Sequence, residues 1–529
     1  MQTFRTPSTT ADADRPATLP AGLGRRSFLG LALGAGAVLT LAACGSDATP
    51  ATAGGTGGTL KWGWALPTSW DPVTSSAGWD VHVLSLVYAG LTKENEKGDP
   101  VPALAESWKY TADGTSVTFT LRKGTTFSDG TPLDATAVKK SIERGRDHPK
   151  SLIAAQLANI KTVTAPDAGT LTLSLAKPDF QLPALFAGKT GMVVNPKAFE
   201  AGADAAALAT KPAGAGPFTL TSYVQNSRAV LRRNPTYWDA ARIKTENFEV
   251  YPLPEPSTVV AALQSGQYNV AQIPGSQVEA AKAAGLQVQV IPSLVVATLD
   301  VNIKKAPFTD PDVALALKYA IDRQELLKAT AFGHGEVSYQ PFPKGYVGHN
   351  DELDDLYPYN PQKARELLAK AGHADGVELT ITTSVAQGVP ELVQAQLKKV
   401  GITAKIEVIP ASQATQIIYI QHSRALFTDQ FAGRDSAVQA FQVLFGEQGL
   451  MNPGRTVDPE LTAALDVVRR TPLESPEYPK LLQKATSIAV RSMPNVFLYT
   501  VPRILARSPK VSEIPAFTVV QRFEGVTAS

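Results

Sequence analysis

A single cysteine, Cys44, stands in a chain of 529 residues. No internal disulfide can form, and no metal centre can be built from paired cysteines. Whatever the chain folds into must be held by its apolar core. A composition that is 44% hydrophobic, at this length, makes that feasible. The surroundings of the cysteine say more. Arg25 and Arg26 form a basic pair, and residues 28–43 then carry no charge at all. A membrane span needs about 20 strongly apolar residues. This stretch is shorter, rich in glycine and alanine, and ends in small residues, the composition of a secretory signal segment.

Behind the cysteine, residues 49–58 are mostly glycine, threonine and alanine. Such a stretch cannot build a core and is expected to be a flexible tether reaching roughly 20 Å. Arg25-Arg26-Ser27-Phe28-Leu29 resembles a twin-arginine export signal. Leu41-Ala42-Ala43-Cys44 resembles a bacterial lipobox, which implies cleavage before Cys44 and a diacylglyceryl group on its thiol. The expectation is a signal peptide over 1–43, a lipidated tether over 44–58, and a protein anchored to the outer face of a cell membrane.

Charge excludes one class of partner. The segment before Cys44 holds Arg5, Arg15, Arg25 and Arg26 against Asp12 and Asp14, a net +2, and the whole chain is also +2. The remainder is therefore neutral, without the basic excess that nucleic acid demands.

Beyond the tether, strand and helix signals mix without a short repeat, so the class is α/β. Trp108 and Tyr110 alternate with polar neighbours, Asp113-Gly114 offers a turn, and Val117, Phe119 and Leu121 alternate again, which predicts a hairpin. A second is expected around residues 166–169, leading into Leu171, Leu173 and Leu175. Asp310-Pro311 and Asn360-Pro361 are cap-plus-proline helix starts. Val313, Leu317, Ala320, Ile321 and Leu327 form one helical stripe after the first. Ala364, Leu367, Leu368 and Ala371 follow the second, with Gly372 as stop. A further helix over 391–400 closes at Gly401 before a strand over 402–408.

Several short motifs then occur in a fixed order. Residues 103–108 read Ala-Leu-Ala-Glu-Ser-Trp, 127–133 read Phe-Ser-Asp-Gly-Thr-Pro-Leu, and 214–218 read Gly-Ala-Gly-Pro-Phe. Residues 233–238 read Arg-Asn-Pro-Thr-Tyr-Trp, and an Ala-Ile-Asp-Arg run ends at Arg323. This ordered set resembles solute-binding protein family 5, the extracytoplasmic receptors of peptide and nickel ATP-binding cassette importers. Asn269 and Ala314 depart from the family pattern, which usually has Asp and Arg there.

The resemblance implies a two-lobed periplasmic-binding-protein-like fold with a ligand cleft between lobes. The first lobe is expected over 59–297 plus 490–529, with an inserted subdomain around 80–210, and the second over 298–489. Crossing segments near 299–302 and 496–500 would form the hinge. The implied function is capture of a peptide or similar small solute by hinge closure and its delivery to a membrane permease with its ATPase. The protein is expected to be a monomer with no cofactor. A surface sensor or chaperone on the same fold is the alternative, and a secreted hydrolase a more distant one.

The first strand and its loop border the cleft in this family, which nominates Trp64 and Trp70 from the cluster Trp62, Trp64, Trp70 and Trp79. Arg434-Asp435 stands where peptide-binding members carry an acidic residue for the ligand ammonium. Asn452 and Tyr499 complete the expected ligand contacts. The histidines His82, His148, His334, His349, His373 and His422 never fall three or four residues apart, so no metal pair is expected. Residues 188–190 end like a phosphate loop, but Pro183 stands where its first glycine belongs. No Gly-x-Ser-x-Gly or His-Glu-x-x-His occurs, which assigns ATP hydrolysis to a partner.

Overall fold

Strand Thr59–Trp64 turns Leu60 and Trp62 into the core, 0% and 1% exposed. In the computed structural model, which describes residues 57–200, 205–253, 255–384, 388–433 and 436–529, it lies near the middle of a seven-stranded sheet. The spatial order is Gln287–Ile291, Arg503–Arg507, Val270–Gln272, Thr59–Trp64, Asn247–Pro252, Arg228–Arg233 and Phe218–Val224. Asn269 ties the first strand to its neighbour: its Oδ1 accepts from Lys61 N–H at 2.7 Å, and its Nδ2 donates to Thr59 C=O at 2.7 Å. An aspartate could accept there but not donate, which accounts for asparagine at this departure from the family pattern.

A separate four-stranded sheet, Ala105–Tyr110, Ser116–Leu121, Thr170–Leu175 and Ile160–Asp167, contains both expected hairpins. Trp108 pairs with Phe119 and Tyr110 with Val117. Gly114, at φ 68°, makes the turn between them. The inward residues of this sheet join the same core cluster as Leu60 and Trp62.

The second lobe is built on a five-stranded sheet in the order Ile402–Val408, Val377–Thr383, Leu426–Phe431, Val296–Val301 and Val496–Thr500. All residues of the last two strands are buried. Both faces are covered: Leu299 and Val301 join one apolar cluster and Val296 another. The helix starts fall where capping demands. Asp310 accepts from Asp312 N–H to open Pro311–Ala320, and Asn360 accepts from Lys363 N–H to open Pro361–Lys370. The single stripe expected through Leu327 is instead two helices, Pro311–Ala320 and Arg323–Thr330. The break has a cause. Asp322 caps the second helix at Glu325 N–H, 2.9 Å. The buried Arg323 guanidinium donates to the carbonyls of Phe497, Lys318, Ile321 and Tyr357 and so fixes the bend.

The chain passes between the two large sheets twice, over 292–295 and 501–502. Residues 299–302 and 496–500, expected as crossings, are instead mostly strand interior, because their apolar side chains pack on the second lobe's helices. Residues 490–500, expected with the first lobe, belong to helix Tyr478–Ser492 and strand Val496–Thr500 and pack with the second. The architecture is a two-lobed α/β fold. Among the described residues no helix is long and apolar enough to cross a membrane.

Candidate functional site

The two crossings are hydrogen-bonded to each other. Val501 N–H donates to Val295 C=O at 2.8 Å, and Ser293 Oγ donates to Val501 C=O at 2.6 Å. A paired double crossing of this kind restricts relative motion to bending, the requirement of a hinge. Gly433 sits against it: a Cβ there would lie 2.1 Å from Leu294 Cβ. The lobes meet again elsewhere. Arg469 Nη1 donates to Asp179 Oδ2 at 2.9 Å, Phe180 N–H to Arg469 C=O at 2.9 Å, and Tyr478 Oη to Gln181 Oε1 at 2.9 Å. Burial raises the Asp179 carboxyl above its usual range, with Arg469 opposing.

Just past the second crossing lies Arg503, 6% exposed. One Nη donates to Phe517 C=O, and Nε has no partner. Burial lowers its pKa to about 10, while Glu94 acts in the opposite sense. Glu94 is itself occupied, accepting from Val519 N–H at 3.2 Å and Val520 N–H at 2.5 Å. His82 Nδ1 accepts from Gln521 N–H at 3.0 Å, and its ring meets Trp64 edge-on at 5.3 Å. Burial, then the Arg503 charge, depress the His82 pKa, so this ring is neutral. Thr518 Oγ1, Gln521 Oε1, Arg522 Nε and Trp64 Nε1 are also buried without hydrogen bonds. Native interiors seldom leave so many polar atoms unpaired in one stretch. Together they form a buried, polar, net-cationic patch walled by an indole, next to the hinge.

Residues 99–449 match the family described as bacterial extracellular solute-binding proteins, family 5, middle. The chain belongs to that family. Its members are receptors that capture solutes outside the cytoplasm for ATP-binding cassette importers, and solute capture is the function of this family 5 protein. Among curated relatives, the glutathione-binding protein GsiB of Salmonella paratyphi A is 29% identical over 454 residues, 79% of this chain and 88% of that protein. Among solved structures, the periplasmic binding protein DppA of Helicobacter pylori, in complex with the peptide STSA, superposes with a TM-score of 0.81 at 25% identity, covering 89% of this chain and 98% of that one. The oligopeptide-binding protein AppA of Bacillus subtilis, in complex with a nonapeptide, gives 0.79 at 21% identity over 90% and 100%.

The residues nominated from sequence scatter in this family 5 protein. Trp64 is half-buried, stacked on Trp62 at 5.3 Å, and belongs to the patch. Trp70 does not: it is 0% exposed, edge-on to Tyr223, in the first lobe's core. Its loop is held down by the buried Asp71–Arg144 pair, 2.6 Å, which fixes the ring inward. Asn452 spends its amide inside its own turn, donating to Gly446 and Thr456 carbonyls and accepting from Thr456 N–H. Tyr499 faces the second lobe's interior, its hydroxyl 2.8 Å from Thr330 Oγ1. Arg434 and Asp435, like Cys44, lie outside the described residues. Their neighbours are Gly433, against the hinge, and Ser436, which caps helix Ala437–Phe445 through Gln439 N–H. Arg503 was missed because its run, Arg-Ile-Leu-Ala-Arg, reads as an ordinary edge-to-core strand. The one available signal was a charged residue opening an apolar strand beside a proline.

Proposed function

We propose that this protein binds a short peptide or peptide-like solute carrying a carboxylate, and that Arg503 receives that carboxylate. The observation that supports this reading is a buried guanidinium whose Nε has no hydrogen-bond partner. A buried cation is costly, Glu94 offsets that cost only in part, and an anionic ligand would offset more of it. Trp64 would form one apolar wall, and Asp435 the partner of a ligand ammonium. The first lobe would comprise 57–291 plus 503–529 and the second 296–500, closing about 292–295 and 501–502. Closure needs contacts that are better in the closed state.

The test is calorimetric titration of glutathione and short peptides into wild-type, Arg503→Met and Asp435→Asn proteins. Methionine removes a buried charge at similar volume, so ligand-free thermal stability should hold or rise. Affinity for carboxylate-bearing ligands should fall by about 2–5 kcal/mol. Unchanged affinity in the Arg503 variant rejects the assignment. The reading also includes lipid anchoring at Cys44 beside a permease, where tethering raises effective concentration. Cys44→Ser should move the protein from the membrane pellet to the soluble fraction with ligand affinity intact.

A further inference from the structure

Away from the hinge, residues 349–354 read His-Asn-Asp-Glu-Leu-Asp. Asn350 Oδ1 accepts from Glu352 N–H at 3.0 Å and opens a single 3-10 turn, Asp351–Leu353. That turn brings Asp351 and Asp354 back to His349, and the three ligand atoms lie within 4.8 Å of one another. The His349 ring is 8% exposed. Its Nδ1 is 2.9 Å from Phe342 C=O. A carbonyl only accepts, so Nδ1 carries a proton and Nε2 faces the carboxylates. Nε2 lies 3.2 Å from Asp351 Oδ1 and 3.4 Å from Asp354 Oδ1, yet is buried with no hydrogen bond.

With the ring neutral, three acceptor atoms at that spacing repel unless a cation joins them. A histidine whose other nitrogen is anchored on a backbone carbonyl has the arrangement of a metal ligand. Bonds of 2.0–2.1 Å in a tetrahedron place neighbouring ligand atoms about 3.4 Å apart, which both separations match. One imidazole and two carboxylates suit a divalent first-row ion better than a hard oxygen-seeking one. The surroundings are already fixed. Lys344 Nζ pairs with the other Asp354 oxygen at 3.1 Å, and Gln340 Nε2 approaches Asp354 Oδ1 at 3.4 Å. Thr486 Oγ1 donates to Gly348 C=O at 2.8 Å, and Asn350 N–H to Gln340 Oε1 at 2.9 Å.

We propose that His349, Asp351 and Asp354 bind a single divalent transition-metal ion, with Zn²⁺ the natural probe, at a site separate from the solute patch. The ion clamps the loop that also carries Tyr346, whose ring a Cβ added at Gly98 of the first lobe would meet at 3.5 Å.

The experiment is Zn²⁺ titration of untagged, chelator-treated mature protein by calorimetry, with wild-type, Asp351→Asn, His349→Gln and Arg503→Met chains. Wild type and Arg503→Met should each bind one saturating equivalent with equal affinity. Asp351→Asn and His349→Gln should each weaken it more than about tenfold. The Asp351 side chain is 93% exposed, so its variant tests the site without disturbing the fold. Absence of saturable Zn²⁺ binding in wild type overturns the proposal. Binding that survives both site variants places the ion elsewhere and overturns it equally.

Discussion

Asp300 and Asp429 share one hydroxyl. Tyr419 Oη is 3.2 Å from Asp300 Oδ2 and also donates to Asp429, while Asn495 Nδ2 donates to Asp300 Oδ1 at 3.2 Å. Burial, then the Asp429 charge, raise the Asp300 pKa to about 7. The native state therefore keeps a proton that the unfolded chain releases near its ordinary value of about 4. Stability falls as pH rises between those values and is level above them. Asp300→Asn should flatten this slope in thermal midpoints measured from about pH 5 to 8. A slope equal to wild type would mean that another group titrates. At this scale the sequence displayed Asp300 and Arg503 as ordinary charges. Only packing makes one a proton store and the other a buried cation. His349 was passed over for a related reason: counting histidine pairs cannot see a histidine that folds back on carboxylates.

At the scale of elements, two sequence motifs prove to be halves of one junction. Gly216 N–H donates to Val87 C=O at 3.0 Å, and Phe218 N–H to Leu86 C=O at 2.8 Å. Asn234 Nδ2 donates to Gly216 C=O at 2.9 Å, and Asn234 N–H to Pro217 C=O at 2.8 Å. A Cβ on Gly216 would lie 2.4 Å from Val87 C and 2.5 Å from Tyr88 N, both backbone atoms. Glycine is required there by close approach. Gly216→Ala should cost about 1–3 kcal/mol, seen in urea melts as a lower midpoint at unchanged slope. The sequence reading of this motif, a restricted backbone at a strand start, named the position but not the segment that crowds it.

Across the whole molecule, Asp179, just past strand Thr170–Leu175, pairs with Arg469 of the second lobe, with side chains 6% and 22% exposed. They are 290 residues apart. Removing the contact should bias the protein toward opening. Asp179→Asn should enlarge the ligand-free radius of gyration in solution scattering. It should also weaken solute binding by about 1.5–3 kcal/mol, the worth of a charged hydrogen bond. An unchanged scattering profile with unchanged affinity would mean that the contact does not report closure.

By itself the sequence determined the family, the two-lobed class, both hairpins and the two cap-plus-proline helix starts, because caps, turns and alternation act over a few residues. It also excluded an internal disulfide, because Cys44 is the only cysteine. The tertiary structure decided where the lobes join. Apolar crossing segments look alike in sequence whether they bend or sit in a sheet, and only the helices packed over Val296–Val301 and Val496–Thr500 reveal them as strands. It likewise decided which tryptophan borders the polar patch beside the crossings and which fills a core, since that depends on distant neighbours.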